Sequence, residues 1–110
     1  MNCNRFKIGD IVQHFKRSLL SKDMLIKNPM QYVYEIIGYG KDSDTMEDVV
    51  IYKALYNDKT LYVRRKNEFE SLVDKVKYPY VKQMFRFEPL EFIEHKGGCV
   101  LWSKNLILLI

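Results

Sequence analysis

The amino-acid sequence predicts a mainly β protein: a small antiparallel β-barrel or roll with one short α-helix and a C-terminal β-hairpin. Two observations carry this prediction. Short apolar runs recur between turns rich in glycine, asparagine and aspartate, whereas only one stretch shows helical spacing. The chain has 110 residues, of which 47% are hydrophobic, and this size fits one compact domain over residues 1–110.

The first predicted strand follows a turn at Gly9-Asp10 and covers the run IVQHF, residues 11–15. Strand alternation places Val12 and His14 on one face and Phe15 on the other. We expect Phe15 to belong to the core and His14 to lie at the end of the strand, at the rim of a candidate site.

Three more strands form a predicted meander. The irregular segment 16–30 comes first, as a long excursion with one helical turn. Strands are then predicted at 31–40, 49–56 and 60–64, with an acidic loop at 41–48. Because the run VVIYKALY is almost wholly apolar, the third strand is expected to be central and covered on both faces.

One amphipathic helix is predicted over about residues 67–77. Its apolar positions recur at helical spacing, with Asn67 as N-cap and Pro79 beyond its end. The stripe consists of Phe69, Leu72, Val73 and Val76.

A further strand and a hairpin complete the prediction. The run at 83–90 resumes strand character, and Pro89 favours an edge position because proline cannot donate a backbone hydrogen bond. Two alternating runs flank Gly97-Gly98, which predicts a β-hairpin within an additional C-terminal part, residues 91–110. The apolar tail Leu106–Ile110 is too short to span a membrane and is expected to pack on the domain or on a partner.

Bulk charge and cysteine content say little about function. Lys and Arg number 18 against 14 Asp and Glu, a net charge of +4, which indicates a mildly basic surface. Cys3 and Cys99 form no Cys-x-x-Cys pair, and the first ten residues lack the apolar core of a signal peptide. Free thiols and a cytoplasmic location are therefore expected.

The common catalytic and metal-binding patterns are absent from the sequence. His14 and His95 are the two histidines, and neither has a neighbour at metal-ligand spacing. There is no nucleophile elbow or phosphate loop, and the acidic loop lacks the glycine and terminal glutamate of a calcium loop. We expect no metal, no cofactor and no enzymatic activity.

A mixed aromatic and basic surface is the candidate site. Alternation along three predicted strands brings tyrosines, cations and one histidine to a common rim, where they would stack on and hydrogen-bond a planar or anionic ligand. Cross-strand or core packing of the same rings is the structural alternative. The predicted binding residues are His14, Lys16, Tyr52, Tyr56, Tyr62, Arg64 and Arg65.

Several motifs in the same order resemble one small bacterial and phage family. They are GDIVQHFKR, YEIIGYGKDSDTMEDVVIYKALYND, LYVR and VDKVKYPYVKQMFRFEPL, which together cover about residues 8–90. The family is the domain of unknown function 1653. The resemblance implies an SH3-like barrel but no activity, and residues from about Phe92 onward lie outside it.

Two departures from the family pattern affect the site. Arg65 stands where the family has a proline after Val-Arg, which adds a cation, and Asp42 stands where its loop carries a histidine. A chemistry that depends on that histidine is therefore not expected in this chain.

These observations favour a cytoplasmic binding module whose ligand is nucleic acid, nucleotide-like or otherwise anionic, an acidic protein surface included. One alternative is an interaction factor, such as an inhibitor of a host enzyme, that contacts a protein partner or a second copy through Trp102 and Leu106–Ile110. Another is a small enzyme with His14 as general base.

Overall fold

The protein is described here by a computed structural model that covers residues 4–95, 98–103 and 106–109, with backbone alone from Glu91 onward. The described strands are β1 Ile11–His14, β2 Val33–Lys41, β3 Asp48–Ala54, β4 Leu61–Arg65, β5 Phe87–Pro89, β6 Glu91–His95, β7 Gly98–Ser103 and β8 Leu106–Leu109. The described α-helices are α1 Lys22–Lys27 and α2 Lys66–Phe69, and a 3₁₀ helix spans Phe15–Leu19. The mainly β class is therefore confirmed.

Strands β1 to β5 form one antiparallel sheet in the order β4-β3-β2-β1-β5. The predicted meander of β2, β3 and β4 is confirmed. β5 joins β1 at one edge, with His14 opposite Phe87, and Pro89 lies on this edge strand as predicted. β4 forms the other edge, and no described pairing joins it to β5, so barrel closure and the SH3-like description stay predictions.

The main core lies on one face of this sheet. It contains Val12, Ile36 and Val50 from successive strands, and Phe6 and Phe69 pack over them. The opposite face is covered less. In β3, Tyr52 and Ala54 are buried, whereas Ile51 and Lys53 are only half-buried. The third strand is interior, but the predicted cover on both faces is incomplete.

The predicted helix at 67–77 is wrong in extent, as is the expectation of a single helix. Helix α2 ends at Phe69, its N-cap is Arg65 rather than Asn67, and Arg65 makes no side-chain capping bond. Leu72 then pairs with Phe85 in an isolated antiparallel bridge. The Asp74 carboxylate accepts backbone hydrogen bonds that hold a turn instead of a helix.

The excursion at 16–30 contains more helix than predicted. Ser21 caps α1, because its hydroxyl oxygen accepts from the Met24 N–H at 3.2 Å. Leu25 is the buried residue of α1, and it packs with Val33 and Leu90 in a second apolar cluster. The excursion therefore covers the end of the sheet where β1 and β2 pair.

Buried polar side chains connect β1 and its helical extension to other parts of the chain. Gln13 Nε2 donates to Gln83 Oε1 at 3.0 Å, and Gln83 Nε2 donates to the carbonyl of Phe85 at 2.8 Å. Arg17 is 1% exposed, and its Nη1 donates to the Gln31 carbonyl at 2.9 Å. Burial lowers the pKa of Arg17 to about 10.

Strands β6, β7 and β8 form a second, three-stranded antiparallel sheet. The predicted hairpin of β6 and β7 is confirmed, and the apolar tail adds β8 as a third strand. Predictions about Cys3 and about the side chains of Cys99, Trp102 and the tail lie outside the described residues. Neither α-helix in the described part of the chain has the length and apolarity to span a membrane.

Candidate functional site

A cavity of about 190 Å³ lies on the core face of the five-stranded sheet. Each strand of that sheet contributes at least one side chain to it, because residues opposite one another in the register point to the same face. We call it the aromatic cavity. Its lining residues are His14, Lys16, Tyr32, Tyr34, Tyr52, Tyr62, Arg64 and Phe87.

The walls of the aromatic cavity are rings in edge-to-face and stacked contact. Tyr34 lies at the centre, with its ring centroid 5.3 Å from that of Tyr52 and 5.7 Å from that of Phe87. Tyr52 and Tyr62 stack at 5.7 Å with an interplanar angle of 29°. These contacts hold the rings in place, and Tyr62, which is 41% exposed, is the most open to solvent of these three tyrosines.

His14 is fixed as a neutral hydrogen-bond donor at the end of β1. Its Nδ1 accepts from the Lys16 N–H at 3.1 Å, so in the neutral ring the proton resides on Nε2. The side chain is 8% exposed and packs edge-on against Phe87 at 5.0 Å. Burial, together with the charges of Arg86, Arg64 and Lys16, lowers the pKa of His14 to about 3.

Positive charge and free donor groups surround the opening. Arg64 Nε donates to the Tyr52 hydroxyl oxygen at 3.2 Å, which leaves the hydroxyl hydrogen of Tyr52 free to donate in turn. Arg64 also lies 3.9 Å from Glu68, a distance at which it is only weakly paired. Among the residues that the structure describes, no aspartate or glutamate lines the cavity. The site therefore presents donors to any polar ligand atom.

Tyr32 reaches the cavity from a strained backbone position. Its φ of +62° lies in the left-handed region, which costs about 1–3 kcal/mol for a bulky residue other than glycine. The residue immediately precedes β2, and its ring centroid lies 6.3 Å from that of His14 and 5.8 Å from that of Tyr56. This backbone position brings the Tyr32 ring to the wall of the cavity.

Five of the predicted binding residues meet at this cavity, and two do not. His14, Lys16, Tyr52, Tyr62 and Arg64 all line it. Tyr56 lies behind the wall, where its hydroxyl is 2.6 Å from that of Tyr34. Arg65 follows Arg64 on the same strand and therefore points to the other face, where it pairs with Glu47 at 3.8 Å and with Glu68 at 2.5 Å.

Three residues that line the cavity were not predicted from the sequence: Tyr32, Tyr34 and Phe87. Tyr34 could have been predicted from the pattern, since it alternates with Ile36 on the core face of β2. Phe87 reaches the cavity only through the pairing of β1 with β5, two segments far apart in the chain. Tyr32 depends on a left-handed backbone that a tyrosine gives no reason to expect.

A larger cleft, of about 380 Å³, lies around α2 and has a different character. Carboxylates and one lysine share its surface, and Lys66 Nζ lies 3.7 Å from Glu70 Oε1. The other two carboxylates pair with cations outside the lining, Glu47 with Arg65 and Asp48 with Lys41. Within the described residues, no cluster of three or more histidine, cysteine or acidic side chains is placed to hold a metal ion.

Comparison with known proteins identifies a family but no function. A family model described as "Protein of unknown function (DUF1653)" matches residues 10–89. This match confirms the resemblance predicted for about residues 8–90. No curated protein and no solved structure matches the chain.

Proposed function

The chain belongs to the DUF1653 family of proteins of unknown function, and from the aromatic cavity we propose that it is a binding module without catalysis, whose ligand carries a planar ring and an anionic group. The observation that carries this proposal is the composition of the described cavity wall, which has stacked rings, cations and hydrogen-bond donors and no carboxylate among its described residues.

The anionic part of the ligand follows from the donors. Lys16 and Arg64 contribute charge, and His14 Nε2–H and the Tyr52 hydroxyl add neutral donors at the same opening. Phosphate and carboxylate oxygens accept such bonds, and hydrogen bonds to a charged group contribute about 1.5–3 kcal/mol each. A cationic ligand would be repelled, even though rings alone would suit it.

The planar part follows from the rings. The rings of Tyr52, Tyr62 and Phe87 line the cavity, and Tyr62 is the exposed one of the three. Aromatic faces favour offset stacking or edge-on contact with a flat ring. A nucleotide, which joins a flat base to a phosphate, combines both features.

Binding rather than turnover is supported by the state of His14. A general base needs an unprotonated nitrogen within reach of the substrate. Nδ1 of His14 is occupied by the Lys16 N–H, so the other ring nitrogen, Nε2, carries the proton of the neutral ring. Histidine here is suited to donate a hydrogen bond, not to abstract a proton.

Calorimetric titration tests the proposal with parts of one ligand. Thymidine supplies the ring, inorganic phosphate supplies the anion, and thymidine monophosphate supplies both. The monophosphate is expected to bind at least tenfold more tightly than either part, because the rings of the cavity and the cations at its opening are then both used. Uridine monophosphate and adenosine monophosphate extend the series to other bases.

Two variants locate the binding. Arg64→Gln is expected to weaken the monophosphate about tenfold or more while leaving thymidine unaffected, since a charge-assisted bond is lost. Lys27→Gln is the matched control, because this exposed lysine of α1 lies outside the cavity lining. Equal affinities for phosphate and the monophosphate, or equal losses in both variants, would reject the proposed site.

A further inference from the structure

The aromatic cavity is too small for a whole nucleotide. Its volume is about 190 Å³, whereas pockets that enclose a complete drug-sized ligand measure about 300–1,000 Å³. One flat ring fits inside, and the atoms attached to that ring must continue across the protein surface. The neighbouring surface therefore indicates what the rest of the ligand is.

A basic, aromatic segment begins next to the cavity. Residues 75–82, KVKYPYVK, carry lysines and tyrosines and contain no acidic residue. We call residues 75–82 the basic segment. Its Tyr78 ring packs on Phe15 at 4.8 Å, and Phe15 packs on His14 at 4.4 Å. Two ring contacts thus connect the cavity wall to the basic segment.

Most side chains of the basic segment are exposed, whereas Val81 is buried and anchors the segment. Lys75 Nζ donates to the carbonyls of Val81 and Gln83, the latter at 2.7 Å, and this closes the segment into a loop. Tyr80 is 93% exposed, and Lys77 Nζ lies 5.5 Å from the centroid of the Tyr78 ring. An exposed tyrosine flanked by lysines can stack on a base while the lysines contact phosphates.

We propose that the ligand is a single-stranded nucleic acid: one base occupies the aromatic cavity, and the adjoining nucleotides follow the basic segment past Tyr80. This inference rests on the proposed function and specifies its ligand. Phosphates near the cavity lie between Lys16 and Arg64, and those farther along meet Lys77 and Lys82.

The chemistry of the surface favours nucleic acid over the alternatives. A free nucleotide bound in the cavity would not contact Tyr80, Lys77 or Lys82. An acidic peptide could pair with the lysines. It would not supply regularly spaced flat rings to stack in the cavity and on Tyr80. In single strands each nucleotide supplies one base and one phosphate, which matches the alternation of rings and cations.

Fluorescence anisotropy with labelled strands of about eight nucleotides provides the test. Oligothymidylate and oligouridylate are compared, so that DNA and RNA are separate arms, with a duplex of the same length and poly-glutamate as competitors. We expect at least one single strand to bind tenfold or more tightly than its mononucleotide. The logarithm of its affinity should fall with the logarithm of salt concentration at a slope of about −3, as about four phosphate contacts require.

Variants of the basic segment separate this inference from the proposed function. Tyr80→Ala is expected to weaken strand binding about tenfold without changing mononucleotide binding, since Tyr80 lies away from the cavity. Lys77→Gln combined with Lys82→Gln should weaken strand binding and reduce the salt slope by about 1.4. Lys22→Gln combined with Lys27→Gln removes the same charge from α1 and should leave the slope less affected.

The outcomes are distinct. If mononucleotides bind in the cavity but strands bind no more tightly, and Tyr80→Ala changes nothing, the strand inference is overturned and the proposed function stands. If neither mononucleotides nor strands bind, both are overturned. Preference for the duplex or displacement by poly-glutamate also rejects the inference.

Discussion

At the scale of single residues, His14 illustrates how burial determines chemistry. The same imidazole would titrate near pH 6.5 in an unfolded chain. In the folded protein it caps the 3₁₀ helix through Nδ1, lies among aromatic rings and is surrounded by cations. All three features favour the neutral ring, so His14 is expected to stay a neutral donor throughout the physiological range.

The lowered pKa of His14 predicts a stability change with pH. The unfolded chain takes up a proton below about pH 6.5, whereas folded His14 does so only near its pKa of about 3. Stability from His14 is therefore fully present above pH 6.5 and is lost as the pH falls. Between pH 6.5 and 5, its share of the free energy of unfolding should decrease by about 1.5 kcal/mol, measured by urea denaturation.

Two variants isolate this contribution. In His14→Asn the amide oxygen can still cap the Lys16 N–H, and the pH dependence between 6.5 and 5 should largely disappear. In His95→Gln the dependence should remain. A His14→Asn protein with the same pH slope as the parent would show that another group is responsible.

At the scale of elements, residues 70–78 show how tertiary contacts override a local pattern. The helical stripe of Phe69, Leu72, Val73 and Val76 is present in the sequence. Phe69 and Val73 are indeed buried, but Leu72 is 60% and Val76 is 94% exposed. The bridge between Leu72 and Phe85 and the turn at Asp74 satisfy backbone groups that a helix would otherwise pair.

The contrast between Val73 and Val76 gives a prediction for this segment. Val73→Ala removes buried methyl groups that pack with Phe15 and Val81, and it should reduce the free energy of unfolding by about 2 kcal/mol. Val76→Ala should change it by less than about 0.5 kcal/mol, because the side chain is in solvent. Chemical denaturation measures the free energy of unfolding of both variants. Equal decreases in the two variants would favour a continuous helix.

At the scale of the whole molecule, core and cavity are parts of one sheet face. Phe6 and Phe69 cover one part of that face, and the remaining rings form the wall of the aromatic cavity. The second sheet, β6–β8, shares no strand pairing with the first in the described residues.

This division predicts that residues 1–90 fold without the second sheet. The truncated protein should unfold cooperatively and retain the nucleotide affinity of the full chain, because the core and cavity-lining side chains that the structure describes all lie in residues 1–90. Calorimetry and the titration described above measure both properties. Loss of cooperative unfolding would show that the second sheet supports the first.

The same truncation tests the alternative function at the C-terminus. If Trp102 and Leu106–Ile110 contact a protein partner or a second copy, light scattering should detect an assembly of the full chain that the 1–90 protein does not form. Equal molar masses for both would reject self-association through this region.

Much of the site was predictable because alternation along a strand is a local property. Once the strands are assigned, the alternation of side chains along them predicts four of the lining residues: His14, Tyr52, Tyr62 and Arg64. The inclusion of Arg65 beside Arg64 contradicted that same rule, and the structure places Arg65 among acidic residues on the other face.

The sequence by itself determined the mainly β class, the meander, the C-terminal hairpin, the edge position of Pro89 and the family. Each depends on local periodicity, turn chemistry or motif order. Only the tertiary structure decided the end of α2, the pairing of β1 with β5 and the ring of Tyr32 in the cavity. These features arise from contacts between distant segments, whose burial and hydrogen bonding outweigh local preferences of a fraction of a kcal/mol per residue.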